Sequence, residues 1–415
     1  MALLTLIFLV LPNLSPSSSK ILVLPTNETK NSSPKPNIQT FSIVRMKRSE
    51  VSDNVLKDIA SHFQIAIDNR YAFNSSAVQR LHQLNPQIKA LKYLNATVVG
   101  DNEPYYLEIK VHPDWFLLNA SGKRVNVYEN PHRFPLDPGN SGWQDYIAKK
   151  AYERINSSNY DGIFLDVVLP YLKVGLGNFD SKPVNPRTGK EYTSEQWARD
   201  QDQKLEKIKK KIGNKLLISN GVGWGKSYYE YNGEIFFDTV DGIMVEGFVR
   251  WGSTPLNVFR SEKDWKSDVD MLKEIDSKVK IVLVYTKFLD TLPGTPEQKE
   301  DYRLYSLTTF LLGKGVGQFY LVGEIEANEF GTTRPRVSTV YQPSWGTEIG
   351  APLGDYYKQG GVYQRDFTGG KVLVNPTYNT QTLNLPRPYK TLEGRVVSEV
   401  ALAHHTGMIL LKTEE

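Results

Sequence analysis

The chain has 415 residues, 40% hydrophobic and 23% charged, the balance of a globular protein long enough for more than one domain. Its 50 basic and 46 acidic side chains leave a formal charge of +4, which on this length gives no electrostatic case for nucleic acid or an acidic membrane as partner. There is no cysteine, which excludes disulfides, thiolate nucleophiles and cysteine-ligated zinc or iron–sulfur centres.

Residues 1–20, MALLTLIFLVLPNLSPSSSK, begin with an apolar run that Pro12 and a Ser/Pro-rich stretch then end. Such a run is shorter than the ~20 residues a bilayer span needs. It reads as a secretory signal or N-terminal hydrophobic segment, although no Lys or Arg precedes it. Residues 21–40, rich in Pro, Asn, Ser and Thr, read as a linker. Seven N-x-S/T sequons, at Asn13, Asn27, Asn31, Asn74, Asn95, Asn119 and Asn156, support export. The expectation is a secreted or cell-surface glycoprotein whose mature chain has no transmembrane anchor.

From residue 41 to 345, eight short apolar runs recur between turn residues. They are FSIVRM from Phe41, FQIAID from Phe63, IKALKY from Ile88, GIFLDVV from Gly162, KLLISN from Lys215, GIMVEGF from Gly242, KIVLVYT from Lys280 and VGQFYLV from Val316. Helix-like stretches separate most of them, such as SEVSDNVLKDIASHF, with Val55, Ile59 and Phe63 at spacings of four. Near-continuous apolar strands are covered on both faces, as in a parallel sheet. Eight alternating units predict an α/β fold, a (β/α)8 TIM barrel. A doubly wound sheet is the alternative, but it wants a Gly-rich phosphate loop after an early strand. GVGWG, from Gly221, follows the fifth run and lacks the G-x-G-x-x-G spacing. The basic run KLEKIKKKIGNK, from Lys204 to Lys215, has Leu205, Ile208 and Ile212 at helical spacing and reads as the wet face of an amphipathic helix.

Two connections are long: Thr97 to Gly142, after the third strand, and Leu169 to Gln196, after the fourth. Loops after barrel strands build the active-site face. The first carries Tyr105, Tyr106, His112, Trp115 and Trp143, expected to wall a groove, and NASGKRV, which reads as a hairpin turn. Residues 346–415 change character. GVYQRDF and KVLVNPT flank the turn TGG, and the whole reads as a small C-terminal antiparallel β-domain.

DGIFLDVV, from Asp161, and DGIMVEGF, from Asp241, share one pattern: Asp-Gly, an apolar run, then a carboxylate. Asp161 and Asp241 are turn residues at the foot of each strand. Five residues on, at ~3.3 Å each, Asp166 and Glu246 reach the upper rim of strands four and six, in matching register. A carboxylate within a strand is costly unless paired, whereas at the rim it faces the site. Inward-leaning side chains two strands apart come to roughly 5–10 Å, the range of paired-carboxylate glycoside hydrolysis. The same arithmetic places Asp68, Asn220, Arg250, Trp251 and Tyr285 at the rim. Asp68 and Asn220 are expected to bind sugar hydroxyls, and Trp224 or Trp251 to stack on a ring. With Trp115 these complete the expected substrate-binding set. No His/Asp/Glu cluster has metal-ligand spacing, so neither metal nor cofactor is expected. His112, His132, His404 and His405 read as ordinary loop and β-domain residues.

DGIFLDVV, ISNGVGW, DGIMVEGF and VYQRDFTGGKVLVNPT together resemble the hypothetical glycosyl-hydrolase-like family 15, related to the endo-polygalactosaminidase barrels of glycoside hydrolase family 114. The resemblance spans most of residues 41–385 and implies a barrel, a glycosidase activity and a carbohydrate partner. Acids on strands four and six are also similar to the α-galactosidase and α-glucosidase clans. That analogy implies Asp166 as nucleophile and Glu246 as general acid/base. Two other readings share the scaffold: a catalytically inactive glycan-binding or cell-surface protein, and a polysaccharide-modifying transferase. The inactive protein is expected to hold its carboxyls more than ~10 Å apart or locked to Arg or Lys away from a cleft.

Overall fold

The computed structural model describes residues 38–69, 71–128, 130–173, 179–289, 292–325, 336–337 and 341–413. The expected export segment, most of the linker and the sequons at Asn13, Asn27 and Asn31 lie outside the described residues. The described residues form one compact unit.

Each apolar run contributes a strand. They are β1 Gln39–Arg45, β2 Ile65–Asp68, β3 Lys89–Asn95, β4 Gly162–Asp166, β5 Leu216–Val222, β6 Gly242–Val245, β7 Ile281–Leu289 and β8 Gln318–Ile325. Each pairs in parallel with the next, and β1 pairs with β8 through Gln39 with Phe319 and Thr40 with Tyr320. The sheet is therefore closed. β2 and β6 are buried at every position, because the barrel interior covers one face and the helices the other.

Besides the single turn Tyr106–Ile109, the α-helices among the described residues are α1 Asp53–His62, α2 Ser75–Leu84, α3 Ser141–Asn156, α4 Ser194–Ile212, α5 Gly225–Glu230, α6 Glu262–Ile275 and α7 Pro296–Gly313. All but α5 begin on a Ser, Thr or Asn whose side chain accepts a backbone N–H three residues on: Ser52, Asn74, Asn140, Thr193, Ser261 and Thr295. Only α5, six residues long, lacks a helical pattern in the sequence. After β8 the described residues carry a 3-10 turn, Pro343–Gly346, where an eighth helix would stand in a regular barrel.

The second sheet follows: β9 Tyr357–Gln359, β10 Val362–Asp366, β11 Gly370–Asn375, β12 Gln381–Thr391, β13 Val396–Leu402 and β14 Thr406–Lys412. Its order is β9-β10-β11-β14-β12-β13, antiparallel throughout. β10 and β11 form the expected hairpin around Thr368 and Gly369, with Asp366 opposite Lys371. This sheet docks on α6 and α7. Arg365 donates from Nη1 to the carbonyls of Leu311, Leu312 and Lys314 at 3.0, 3.1 and 2.7 Å, satisfying orphan acceptors at the end of α7. Tyr363 donates to Glu262 at 2.6 Å.

The repeated Asp-Gly has a mechanical basis. Asp161 Oδ2 accepts from Ala90 N at 2.8 Å, and Asp241 Oδ2 from Leu217 N at 2.9 Å, so each Asp pins its strand's foot to the preceding strand. His82 also reaches Asp161, and Lys209 reaches Asp241. The glycines admit the strand on the other side. A Cβ on Gly162 would lie 2.3 Å from Leu216 O, and one on Gly242 2.7 Å from Ile281 O. Gly162→Ala is therefore expected to cost about 2–3 kcal/mol, because neighbouring backbone must move. Gly354→Ala, where a Cβ would meet nothing within 4 Å, is the matched control in urea unfolding. Two expectations are corrected. Lys204, which opens the basic run, is not on a wet face: it is completely buried. The turn in NASGKRV is present, with Asn119 N donating to Lys123 O at 2.8 Å, yet the loop around it is partly core, since Trp115 and Trp143 are buried against each other.

Candidate active site

An open cavity of about 740 Å³ lies at the C-terminal end of the barrel strands. Its wall includes Asp166, Asn220, Glu246, Tyr285, Tyr93 and Asn95. Further out, Asp101, Glu103, His132 and Arg133 line it from the small antiparallel pair formed by residues 98–100 and 133–135.

The level of the two acids follows from barrel geometry. In the hydrogen-bonded ladder β5 Asn220 pairs with Met244, and β4 Leu165 pairs with Ser219. Asp166 is thus on the rung of Met244, not of Glu246. An eight-stranded barrel with shear 8 slips one residue per strand around its axis. Two strands beyond Asp166, the residue at equal height is two past Met244, which is Glu246. Equal height, not equal rung, brings the acids together.

Asn220 stands between them. Its Nδ2 donates to Asp166 Oδ1 and to Glu246 Oε2, each at 2.9 Å, which holds those two oxygens within about 6 Å of one another. Asp166 has two more donors: Tyr93 Oη to Oδ2 at 2.6 Å and Val167 N to Oδ1 at 2.9 Å. Val167 has φ 59°, a strained value for a β-branched residue, directly after the acid. Glu246 Oε1 accepts from Lys287 Nζ at 2.6 Å. Burial pushes the Glu246 carboxyl up, but the Lys287 charge and the hydrogen bonds from Lys287 and Asn220 outweigh it, and the net shift is downward. Burial also pulls the Lys287 ammonium down, yet Glu246 holds it above its ordinary value. Burial, then the Asp166 charge and hydrogen bond, push Tyr93 well up, so it remains a donor.

Of the residues expected at the site, Asp166, Glu246, Asn220 and Tyr285 converge on the cavity. The Trp251 ring is 39% exposed and lies 5.9 Å from Lys287 Nζ, beside the site. Four others are not part of the cavity wall. Asp68 is fully buried, accepting from Ala72 N, Phe73 N, Lys92 Nζ and Tyr160 Oη, and it braces the loop after β2. Arg250 is buried against Phe288 and Tyr302 and donates to Thr254 O. Trp224 carries the Arg260 guanidinium 4.0 Å above its ring. Trp115 is buried under His112, 3.9 Å between ring centres. The sequence reading missed Lys287, Tyr93 and Asn95. The signal was period two: β7 runs past Tyr285, so Lys287 shares its face, and β3 runs past Tyr93 to Asn95. Among the described residues no group of His, Cys, Asp and Glu is placed to hold a metal ion. No described helix is long and apolar enough to cross a membrane.

No curated protein matches the chain. Solved structures resemble the chain at low identity. One is the noncanonic maltogenic alpha-amylase AmyB from Thermotoga neapolitana, 13% identical, with TM-score 0.51 over 89% of this chain and 98% of that one. Others are an Anoxybacillus alpha-amylase, at 15%, TM-score 0.46, covering 91% and 97%, and the glycoside hydrolase domain of PelA from Pseudomonas aeruginosa, at 14%, TM-score 0.44, covering 71% and 97%. At these identities the likeness concerns fold alone. The sequence itself is more specific. Residues 82–371, which contain both acids, Asn220 and Lys287, match the family described as Hypothetical glycosyl hydrolase family 15, and the chain belongs to that family.

Proposed function

We propose that this chain is a glycoside hydrolase that cleaves O-glycosidic bonds of a polysaccharide or glycan with Asp166 and Glu246. The observation that carries the reading is the shared Asn220: it sets two carboxylates side by side in an open cavity. Their closeness fits the ~5–5.5 Å of retaining enzymes better than the wider gap that admits water between the groups. Three donors fix the orientation of the Asp166 carboxyl, which would attack the anomeric carbon. Glu246 then delivers and recovers the proton. The cavity wall also presents two buried polar atoms without a hydrogen-bond partner among the described residues, Tyr285 Oη and Asn95 Nδ2. Sugar hydroxyls would satisfy both, and the exposed ring of Trp251 offers a stacking face.

Export is part of this reading. Of the described sequons, Asn156 is exposed, whereas Asn95 is buried and caps Thr97 N and Val98 N. The inactive glycan-binding reading has one observation in its favour, the ion pair between Lys287 and Glu246. Glu246 of that pair nevertheless lines the open cavity, which favours catalysis. The test is a glycan-library screen for reducing-sugar release, with proton NMR of the first-formed anomer. Hydrolysis with retained configuration is expected. Glycan binding without release would establish the inactive scaffold instead.

A further inference from the structure

We propose that Lys287 is a positioning residue for Glu246: it fixes the carboxylate toward β7 and sets the alkaline limit of hydrolysis. This rests on the function proposed above. The geometry is direct. Lys287 is two residues past Tyr285 on the same face of β7, with 17% of its side chain exposed, and its Nζ donates to Glu246 Oε1 at 2.6 Å. Asn220 holds the other oxygen, so both carboxylate oxygens are engaged and the side chain has one orientation.

The groups around Glu246 come from every neighbouring strand. β4 supplies Asp166, through the shared Asn220 of β5; β7 supplies Lys287 and the Tyr285 hydroxyl; and β1 supplies Arg45, whose charge acts in the same direction as that of Lys287. Lys287 hydrogen-bonds the carboxylate directly.

The consequence concerns one proton. In the first step the Glu246 carboxylic acid gives its proton to the glycosidic oxygen, the C–O bond breaks, and an Asp166 oxygen bonds the anomeric carbon. In the second step water attacks that carbon, its proton returns to Glu246, and the Asp166–carbon bond breaks. Lys287 keeps its own protons throughout. Because it favours the ionised carboxylate, the fraction of Glu246 carrying the proton falls early as pH rises.

Two measurements test this on the full chain. Carbon-13 NMR of the Glu246 carboxyl needs no substrate: its midpoint should rise by about one pH unit or more in Lys287→Met and stay near the wild-type value in Lys287→Arg, which keeps the charge. The pH–rate profile on a glycan that the screen identifies should show the alkaline limb moving upward in Lys287→Met, with the acidic limb in place. An unchanged Glu246 midpoint in Lys287→Met overturns the proposal, as does movement of the acidic limb instead. Absence of hydrolysis by the wild type would count against the function, and the carboxyl titration would still decide the pairing.

Discussion

Asp166→Asn and Glu246→Gln should each reduce glycan hydrolysis at least about a thousandfold while the protein stays folded. Both changes are isosteric, so the cavity keeps its shape. Asparagine at 166 has no charge with which to attack a carbon, and glutamine at 246 cannot return a proton. The two variants separate on an aryl glycoside with a good leaving group. Such a bond breaks without protonation, so Glu246→Gln should regain much of its bond-cleavage rate there and Asp166→Asn should not. Structural losses should be modest and unequal. Glu246→Gln leaves the partly buried Lys287 without its counter-ion, whereas in Asp166→Asn the amide oxygen can still accept from Val167 N and Asn220 and its NH2 faces the Tyr93 hydroxyl. Circular dichroism and urea midpoints check that folding survives. If either variant keeps full activity on a glycan that the wild type cleaves, the assignment of the pair is wrong.

Lys204 should give the largest pH effect on stability. It is completely buried on α4, donating to Ala96 O at 2.8 Å and Thr97 Oγ1 at 3.2 Å, and also to Gln201 Oε1. No carboxylate is among these partners, and burial pulls its ammonium down to about 7. In the unfolded chain a lysine holds its proton to about 10.4. Between these values the unfolded state binds more protons than the native state, so native stability rises with pH across this window. Below pH 7 both states are protonated and the burial cost is present in full. Lys204→Met lacks the group, and all other titrations are common to both proteins. The stability of the wild type minus that of Lys204→Met should therefore grow by on the order of 4 kcal/mol between pH 6.5 and 10. Chemical denaturation at both pH values measures it. A difference that stays flat would mean that Lys204 remains protonated when folded, stabilised by its three acceptors.

Much of the fold was legible locally. The eight apolar runs became the eight barrel strands because strands covered on both faces need no polar side, and six helices announced themselves through apolar spacing and Ser, Thr or Asn caps. The hairpin around Thr368 was equally plain, since Gly-rich turn chemistry between alternating strands is a short-range signal. The rim residues were only half legible. Chain position identifies the end of a strand, but not whether a side chain there turns to the cavity or into the loops. Asp68 ends its strand as Asp166 does, and Arg250 follows β6 in the next loop, yet loop backbone amides claim the first and the rings of Phe288 and Tyr302 the second.

What the sequence by itself determined about this protein is the barrel, its accessory sheet and the two acids that crown strands four and six. Those depend on periodicity and turn chemistry, which act over a few residues. The tertiary structure decided which groups share the cavity. The stagger of the closed barrel, not the repeat of the motif, sets Asp166 level with Glu246. Asn220 then bridges them and Lys287 takes the remaining oxygen of Glu246, contacts between residues 26 to 54 positions apart that only the closure of the sheet brings within hydrogen-bonding distance.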